Sequence, residues 1–401
     1  MKVQIKKCTF YSAWIIYIIN YVLFEQSQFK NILGSGTFTR GIKAFVVILL
    51  LICIFLRRSV SIRFIKLGSL VGAIFLMAYF TADSWTVLFW GLFSLAAVDN
   101  IEYREFLRID IPARTLLYLF VLVCAFTGVL KNDSIVVYGN EKVTLGYIHY
   151  NMFGMNMGVL VTEIIAWFRD DKKNTRRMYL LVIAICAVQV LVGVGRTGLY
   201  ASTVIIVLSI ILENRKIKAF VEDHCSFFSV SSVIFAIGSY GISFAYDSGN
   251  KIMQVLNLIS STRIAFSNLY LSRYDLSIFG QQLYINNDAA KGQYSALDMG
   301  YIRVGLEYGL LILFLMVLMF YIIQKESLKT NNVGLYLASL YFCMTLLVAT
   351  SVMNVANDWI LIFTIQILVR RDTFFEQKIS GGSNFESRLM HTCLLYTSDA
   401  A

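Results

Sequence analysis

Arginine placement is the chemically suggestive feature of this chain. Arg196 sits in the glycine turn Gly193-Val194-Gly195-Arg196-Thr197-Gly198. Arg263 and Arg273 lie in a polar stretch from Asp247 to Leu297, and Asp298 and Arg303 follow directly. A guanidinium is a planar fork that binds phosphate through paired hydrogen bonds, with no metal required. Several converging on one face suit a diphosphate. Each also has a structural reading. Arg196 can snorkel to lipid headgroups. Arg303 and Glu307 are four apart on one helix and read equally as an ion pair. Arg273 precedes Asp275 and can cap a turn. Arg263 has no acidic neighbour in sequence, which makes it the cleanest candidate.

Asp298 and His149 are the candidates for moving a proton. His149, with Asn151 beside it and Asn156 one heptad on, can act as a general base or bind a hydroxyl. A hydrogen-bonded histidine at a helix mouth explains it as well. Asp298 can serve as a carboxylate base, although guanidinium groups nearby hold a carboxylate in its charged, weakly basic form. It can also be the N-cap of the helix that follows. Gly195 and Gly198 permit close ligand approach, whereas Gly154 and Gly158 read as a helix-packing stripe. No His/Cys grouping has metal-ligand spacing, and there is no Gly-x-Ser-x-Gly elbow or phosphate loop. No metal, cofactor or nucleotide chemistry is expected.

The elements that position these residues are read from composition. With 58% hydrophobic and 15% charged residues, the chain lies far outside soluble-globular usage. Its long apolar runs predict an all-α, polytopic membrane protein of about twelve spans. These are 8–24, 42–56, 64–80, 83–98, 115–130, 148–168, 178–194, 197–212, 226–246, 301–323, 333–352 and 355–369. The runs are solid rather than alternating, which argues against a β-barrel. Lys and Arg concentrate in alternate loops, most densely at Arg169, Lys172, Lys173, Arg176 and Arg177. Both termini are therefore expected in the cytoplasm, and the 247–297 loop outside. The net charge of +10 reflects that orientation and contact with anionic lipid, and does not point to nucleic acid.

Residues 1–392 read as a single membrane domain. Pro112 is the only proline, so proline-broken spans are not signalled. The cysteines lie mainly in apolar runs and imply no disulfide framework. The first apolar run reads as a retained helix rather than a signal peptide. In the outer loop, Ile252–Ile259 and Ser261–Leu271 read as short amphipathic helices at the membrane surface, with Ser260 or Ser261 as N-cap. Gly280, Asn286-Asn287-Asp288 and Gly292 mark irregular chain. Residues 393–401, CLLYTSDAA, look like a translated sequencing adapter, with the true C-terminus expected near Thr392.

Taken in order, four stretches resemble the Wzy-type bacterial polysaccharide polymerases of capsule and O-antigen synthesis, in a superfamily shared with O-antigen ligases. They are Gly146-Tyr147-Ile148-His149-Tyr150-Asn151; Gly193 to Gly198, similar to a G-S-R-T-G signature; Ser260-Ser261-Thr262-Arg263, similar to S-G-R; and Phe279-Gly280 followed by Leu297-Asp298-Met299-Gly300-Tyr301 with Gly309. The resemblance covers roughly residues 140–312. Val194, Thr262 and Met299 stand where the family usually has Ser, Gly and Asn.

The resemblance implies a glycosyltransferase of the bacterial cytoplasmic membrane. It would join oligosaccharide repeats carried on polyprenyl diphosphate at the outer face. Arg196 and Arg263 match arginines that hold the lipid diphosphate, with Arg303 and Arg273 as helpers. Asp298 falls where ligases have a histidine and becomes the candidate base. Tyr270, Tyr274, Tyr284, Tyr294 and Tyr301 are available to stack on sugars or to pack. Expected partners are the lipid-linked oligosaccharide, membrane lipid, and chain-length-regulator and flippase proteins. A ligase, with a different acceptor, and a flippase or other transporter are the alternatives. A transporter should bury charges within its spans, whereas the sequence places ionisable residues mainly outside them.

Overall fold

In lipid, backbone polar groups must be satisfied within the segment, so the long apolar runs have only the helix open to them. The computed structural model describes residues 2–32, 36–56, 62–98, 101–137, 140–171, 173–192, 195–285 and 296–369. Gly193, Val194, Asn286-Asn287-Asp288, Gly292, Tyr294 and residues 393–401 lie outside these. The helices are α1 (Lys2–Ile19, continued by a π-helical stretch Asn20–Gln26), α2 (Phe29–Ile32), α3 (Gly36–Phe55), α4 (Ile62–Ala82), α5 (Trp85–Ala97), α6 (Tyr103–Phe126), α7 (Tyr150–Phe168), α8 (Thr175–Val192), α9 (Arg196–Ile211), α10 (Arg215–Asp223), α11 (Cys225–Phe228), α12 (Ser231–Phe244), α13 (Lys251–Ile259), α14 (Arg263–Arg273), α15 (Gly300–Arg303), α16 (Leu310–Lys329), α17 (Val333–Thr345) and α18 (Thr364–Val369). Among the described residues the expected all-α class holds apart from one small antiparallel pair, β1 (Ser134–Val137) with β2 (Asn140–Val143), Ser134 opposite Val143.

Among the described residues, six helices are long and apolar enough to cross a membrane, or seven if α9 and α10, bent by 105°, count as one broken span. This is the architecture of a helical membrane protein. Of the spans expected from sequence, 42–56 lengthens to Gly36–Phe55, twenty residues. The span expected at 115–130 instead starts at Tyr103, with Pro112 and Arg114 inside the helix. Trp85–Ala97, Val333–Thr345 and Trp359–Leu368 are apolar but shorter. The reason is visible in the packing: α17 is buried along almost its whole length between α7, α9 and α16. A helix surrounded by protein need not match the lipid thickness by itself.

α7 is the axis of the molecule. It packs against α6, α8, α9 and α17 and buries Phe153 through Ala166. Two contacts explain its glycines. A Cβ on Gly154 would stand 2.5 Å from the Gly195 Cα, and one on Gly198 2.1 Å from the Gly154 carbonyl oxygen. The stripe read as packing does pack. The turn glycines, read as room for a ligand, are instead occupied by α7.

The polar loop folds over a core of its own, made of Ile264, Tyr270, Leu297, Met299, Ile302 and Leu306. Asn268 ties α14 to α12 by donating from Nδ2 to the Ser243 carbonyl at 2.9 Å. At the other end, residues 277–281 dock onto the break between α15 and α16. Gln281 N–H donates to the Glu307 carbonyl, and Leu310 N–H to that of Ser277. Gly280 (φ +88°) and Gly309 (φ +94°) meet there, and a Cβ on Gly309 would lie 2.4 Å from the Gly280 nitrogen. Along α13, Ile252, Val255, Leu258 and Ile259 are exposed, a lipid-compatible face beside the site.

Candidate anion and proton-transfer site

Arg263 is the first residue of α14, and an unusual backbone aims it. Ser261 (φ +55°) and Thr262 (φ +66°) both take left-handed conformations, which favour glycine. Thr262 is the N-cap and its side chain makes no capping bond, so the expected Ser260 or Ser261 cap is replaced. Asn257 of α13 does the capping instead: its Oδ1 accepts from Ala265 N–H at 3.0 Å, and its carbonyl from Thr262 N–H at 2.8 Å. The two short helices are thereby locked into one unit that carries Arg263.

The Arg263 Nε lies 3.6 Å from Asp298 Oδ2, and its Nη1 donates weakly to the Ser260 carbonyl at 3.3 Å. Nε itself finds no hydrogen-bond acceptor among the described residues. The side chain is 18% exposed and that of Asp298 38%. Here is an arginine held near a carboxylate, too far for a good hydrogen bond, with donors to spare. Asp298 does not cap the next helix. Met299 is the N-cap of α15, without a side-chain bond, which removes capping as the explanation for Asp298 and leaves its pairing with Arg263.

His149 comes to the same place from α7. It is the N-cap, and its Nδ1 accepts from Asn151 N–H at 3.2 Å. Because a backbone N–H can only donate, the neutral ring carries its proton on Nε2. Burial lowers the proton affinity of His149 below the usual value of 6.5, and Asp298 opposes that shift. His149 thus offers a donor, and the general-base reading is the weaker of the two. Arg303 interacts with Glu307, its ion-pair partner at 2.5 Å, and more weakly with Asp298.

Arg196 starts α9, exposed, beside the α7 N-terminus where Gly195 (φ +67°) nests against Gly154 and Asn151. Asn151 is half-buried there. Arg273 is exposed at the far end of α14, roughly 15 Å along the axis from Arg263 at 1.5 Å per residue. It stands apart from the cluster. Tyr301 is a correction among the candidates: it is 0% exposed, and its hydroxyl donates to the Cys343 carbonyl at 3.1 Å. Its ring is core and cannot meet a ligand. Tyr270 is likewise buried and stacked on Tyr274, while Tyr284 is exposed.

A second polar centre escaped sequence reading. Arg114 of α6 pairs through Nε with Asp110 Oδ2 and with Glu163 Oε1 of α7, each at 2.8 Å. Trp14 Nε1 donates to Asp110 at 2.9 Å, and Arg114 Nη1 to the Ala356 carbonyl. All three ionic side chains are at most 1% exposed. The expectation that charges lie outside the helical bundle is therefore wrong here. The available signal was the i,i+4 pair Asp110/Arg114 and the heptad spacing His149, Asn156, Glu163 along α7.

In comparison with known proteins, the chain matches no family model, no curated protein and no solved structure.

Proposed function

We propose that the protein is a membrane glycosyltransferase that polymerises polyprenyl-diphosphate-linked oligosaccharide repeats into a capsular, O-antigen or exopolysaccharide chain. In this reading about twelve helical segments thread the bacterial cytoplasmic membrane, both termini are cytoplasmic, and the 247–297 loop is extracytoplasmic. One observation carries the proposal. Arg263, Asp298, His149 and Arg303, from three separate segments, gather at one end of the helical bundle, beside an exposed apolar helix suited to lipid.

The chemistry follows from the donors. The lipid diphosphate takes the unused Arg263 donors, with Arg196 adding positive charge and the ion-paired Arg303 a weaker helper, so the leaving group is stabilised where its charge develops. By drawing Arg263 away, it frees Asp298. A hydroxyl oxygen of the second repeat attacks the anomeric carbon and a glycosidic C–O bond forms. The anomeric C–O bond to the diphosphate breaks, and its electron pair leaves on phosphate. The hydroxyl proton passes to Asp298, while His149 Nε2–H orients a substrate oxygen. A ligase would use the same donor side with another acceptor.

The buried Asp110–Arg114–Glu163 triad is the observation favouring a second reading, movement of a substrate across the membrane. Substitution separates the two. Arg263→Ala and Arg196→Ala should abolish polymer, a loss of at least about 10²-fold, while single repeats are still made and reach the outer face. Repeats stranded on the inner leaflet would instead mark a transporter.

A further inference from the structure

A cavity of about 860 Å³ lies between the end of α1, the α2 segment, the start of α3 and the α4–α5 turn. One wall is the end of α1 and the α2 segment. Gln28 N–H donates to the Gly146 carbonyl, and Ile148 N–H to that of Gln26, so this wall is hydrogen-bonded to the strip leading into His149. The other wall is the α4–α5 turn. There Thr81 Oγ1 donates to the Phe279 carbonyl, and Ser84 Oγ to the Tyr308 hydroxyl, next to the Arg303–Glu307 pair.

The lining is mixed in a telling way. Lys30 and Arg40 face the cavity with no ion pair among the described residues, whereas Lys43 is neutralised by Glu25 at 3.0 Å. Phe24 and Phe38, edge to face at 5.4 Å, and Trp85 supply aromatic surface. Asp83 is the remaining acid. Free cations beside aromatic rings fit a ligand that is anionic at one end and presents sugar or isoprenoid surface at the other. A hydrophobic lining alone would fit a lipid tail, and cations alone a bare headgroup.

We infer that this cavity is a second lipid-diphosphate subsite, holding the acceptor repeat while the Arg263 cluster holds the donor. The inference rests on the glycosyltransferase reading above. A polymerase joins two substrates of the same chemistry, so it needs two anion grips close enough for a sugar hydroxyl of one to reach the anomeric carbon of the other. The cavity walls are hydrogen-bonded to the two segments that carry His149 and Arg303, and that linkage meets the need.

Farnesyl diphosphate is the probe, titrated by calorimetry into the full chain in phosphatidylcholine nanodiscs. Wild type should bind two equivalents. Lys30→Gln with Arg40→Gln should lose one of them, with at least a tenfold weaker affinity at that site. Arg263→Gln should lose the other. Lys30 and Arg40 are exposed, so unchanged thermal midpoints are expected; Thr39→Trp, which fills the cavity, gives an independent second variant. One equivalent in wild type, lost in Arg263→Gln and untouched by both cavity variants, overturns the subsite and leaves the glycosyltransferase reading standing. No binding at either place overturns both. Loss of the second equivalent when nanodiscs contain phosphatidylglycerol shows a general headgroup site and also overturns the acceptor assignment.

Discussion

Arg263 is partly buried beside Asp298 and still has more donors than its neighbours use. Arg303 is satisfied by Glu307, and Arg273 stands at the wrong end of its helix. Arg263→Lys should therefore be nearly as damaging as Arg263→Ala in a polymerisation assay, because an ammonium cannot reproduce the fork. Thr262 offers a sharper check. Its left-handed backbone costs about 1–2 kcal/mol for a residue with a side chain, so Thr262→Gly should be neutral or stabilising in thermal unfolding. A drop in midpoint of several degrees would contradict the strain. His149 has a folded proton affinity below its ordinary value. Its stabilising contribution is complete above about pH 6.5 and is lost as pH falls through the lower folded value. The wild-type thermal midpoint should fall on acidification below about 6.5, and His149→Asn should flatten that slope. Asparagine still caps α7, whereas His149→Ala should cost about 1 kcal/mol even at neutral pH. The identity of these residues was legible in the sequence. So was the Arg303–Glu307 pair, four residues apart. The burial of Tyr301 and the spare donors of Arg263 were not, since each depends on what another segment brings alongside.

At the scale of elements, the α7–α9 junction sets where Arg196 can be. Backbone meets backbone at Gly154, Gly195 and Gly198, and no side chain can rotate aside to make room. Gly154→Ala should push α9 away, destabilise the protein by about 1–3 kcal/mol, and lower activity beyond what the stability loss explains. Gly195→Ala adds a φ penalty to the same clash. The corresponding Gly158 change meets the hydroxyl and ring of the fully buried Tyr341 and should cost a similar amount. Apolar run length found these helices because a segment that crosses lipid needs an apolar surface along its length. It misplaced the start of α6 because a helix with Asp110, Arg114 and Pro112 in it looks too polar to continue. The structure continues it because Glu163, Trp14 and Ala356 receive that polarity.

Across the whole molecule, the buried triad joins α1, α6, α7 and the 356 segment well away from the arginine cluster. His149, Asn156 and Glu163 follow at seven-residue steps, so Glu163 lies about 21 Å below His149 along α7. Arg114→Met strips both carboxylates of their counter-charge and should destabilise by about 3–5 kcal/mol. Glu163→Gln leaves a matched Asp110–Arg114 pair and should be close to neutral in stability. If Glu163→Gln keeps the fold but stops polymer from forming, the triad does more than hold helices together.

From the sequence alone follow the helical class, the membrane setting and the residue types able to grip a diphosphate, because hydropathy and side-chain chemistry are properties of single residues and short runs. Only the tertiary structure decided which of those residues meet. It set Asp298 beside Arg263, folded the polar loop onto a core of its own, and hid an ionic triad in the bundle. Those outcomes depend on which separate segments pack against one another, Arg263 against Asp298 and Arg114 against Glu163, and no local pattern encodes that.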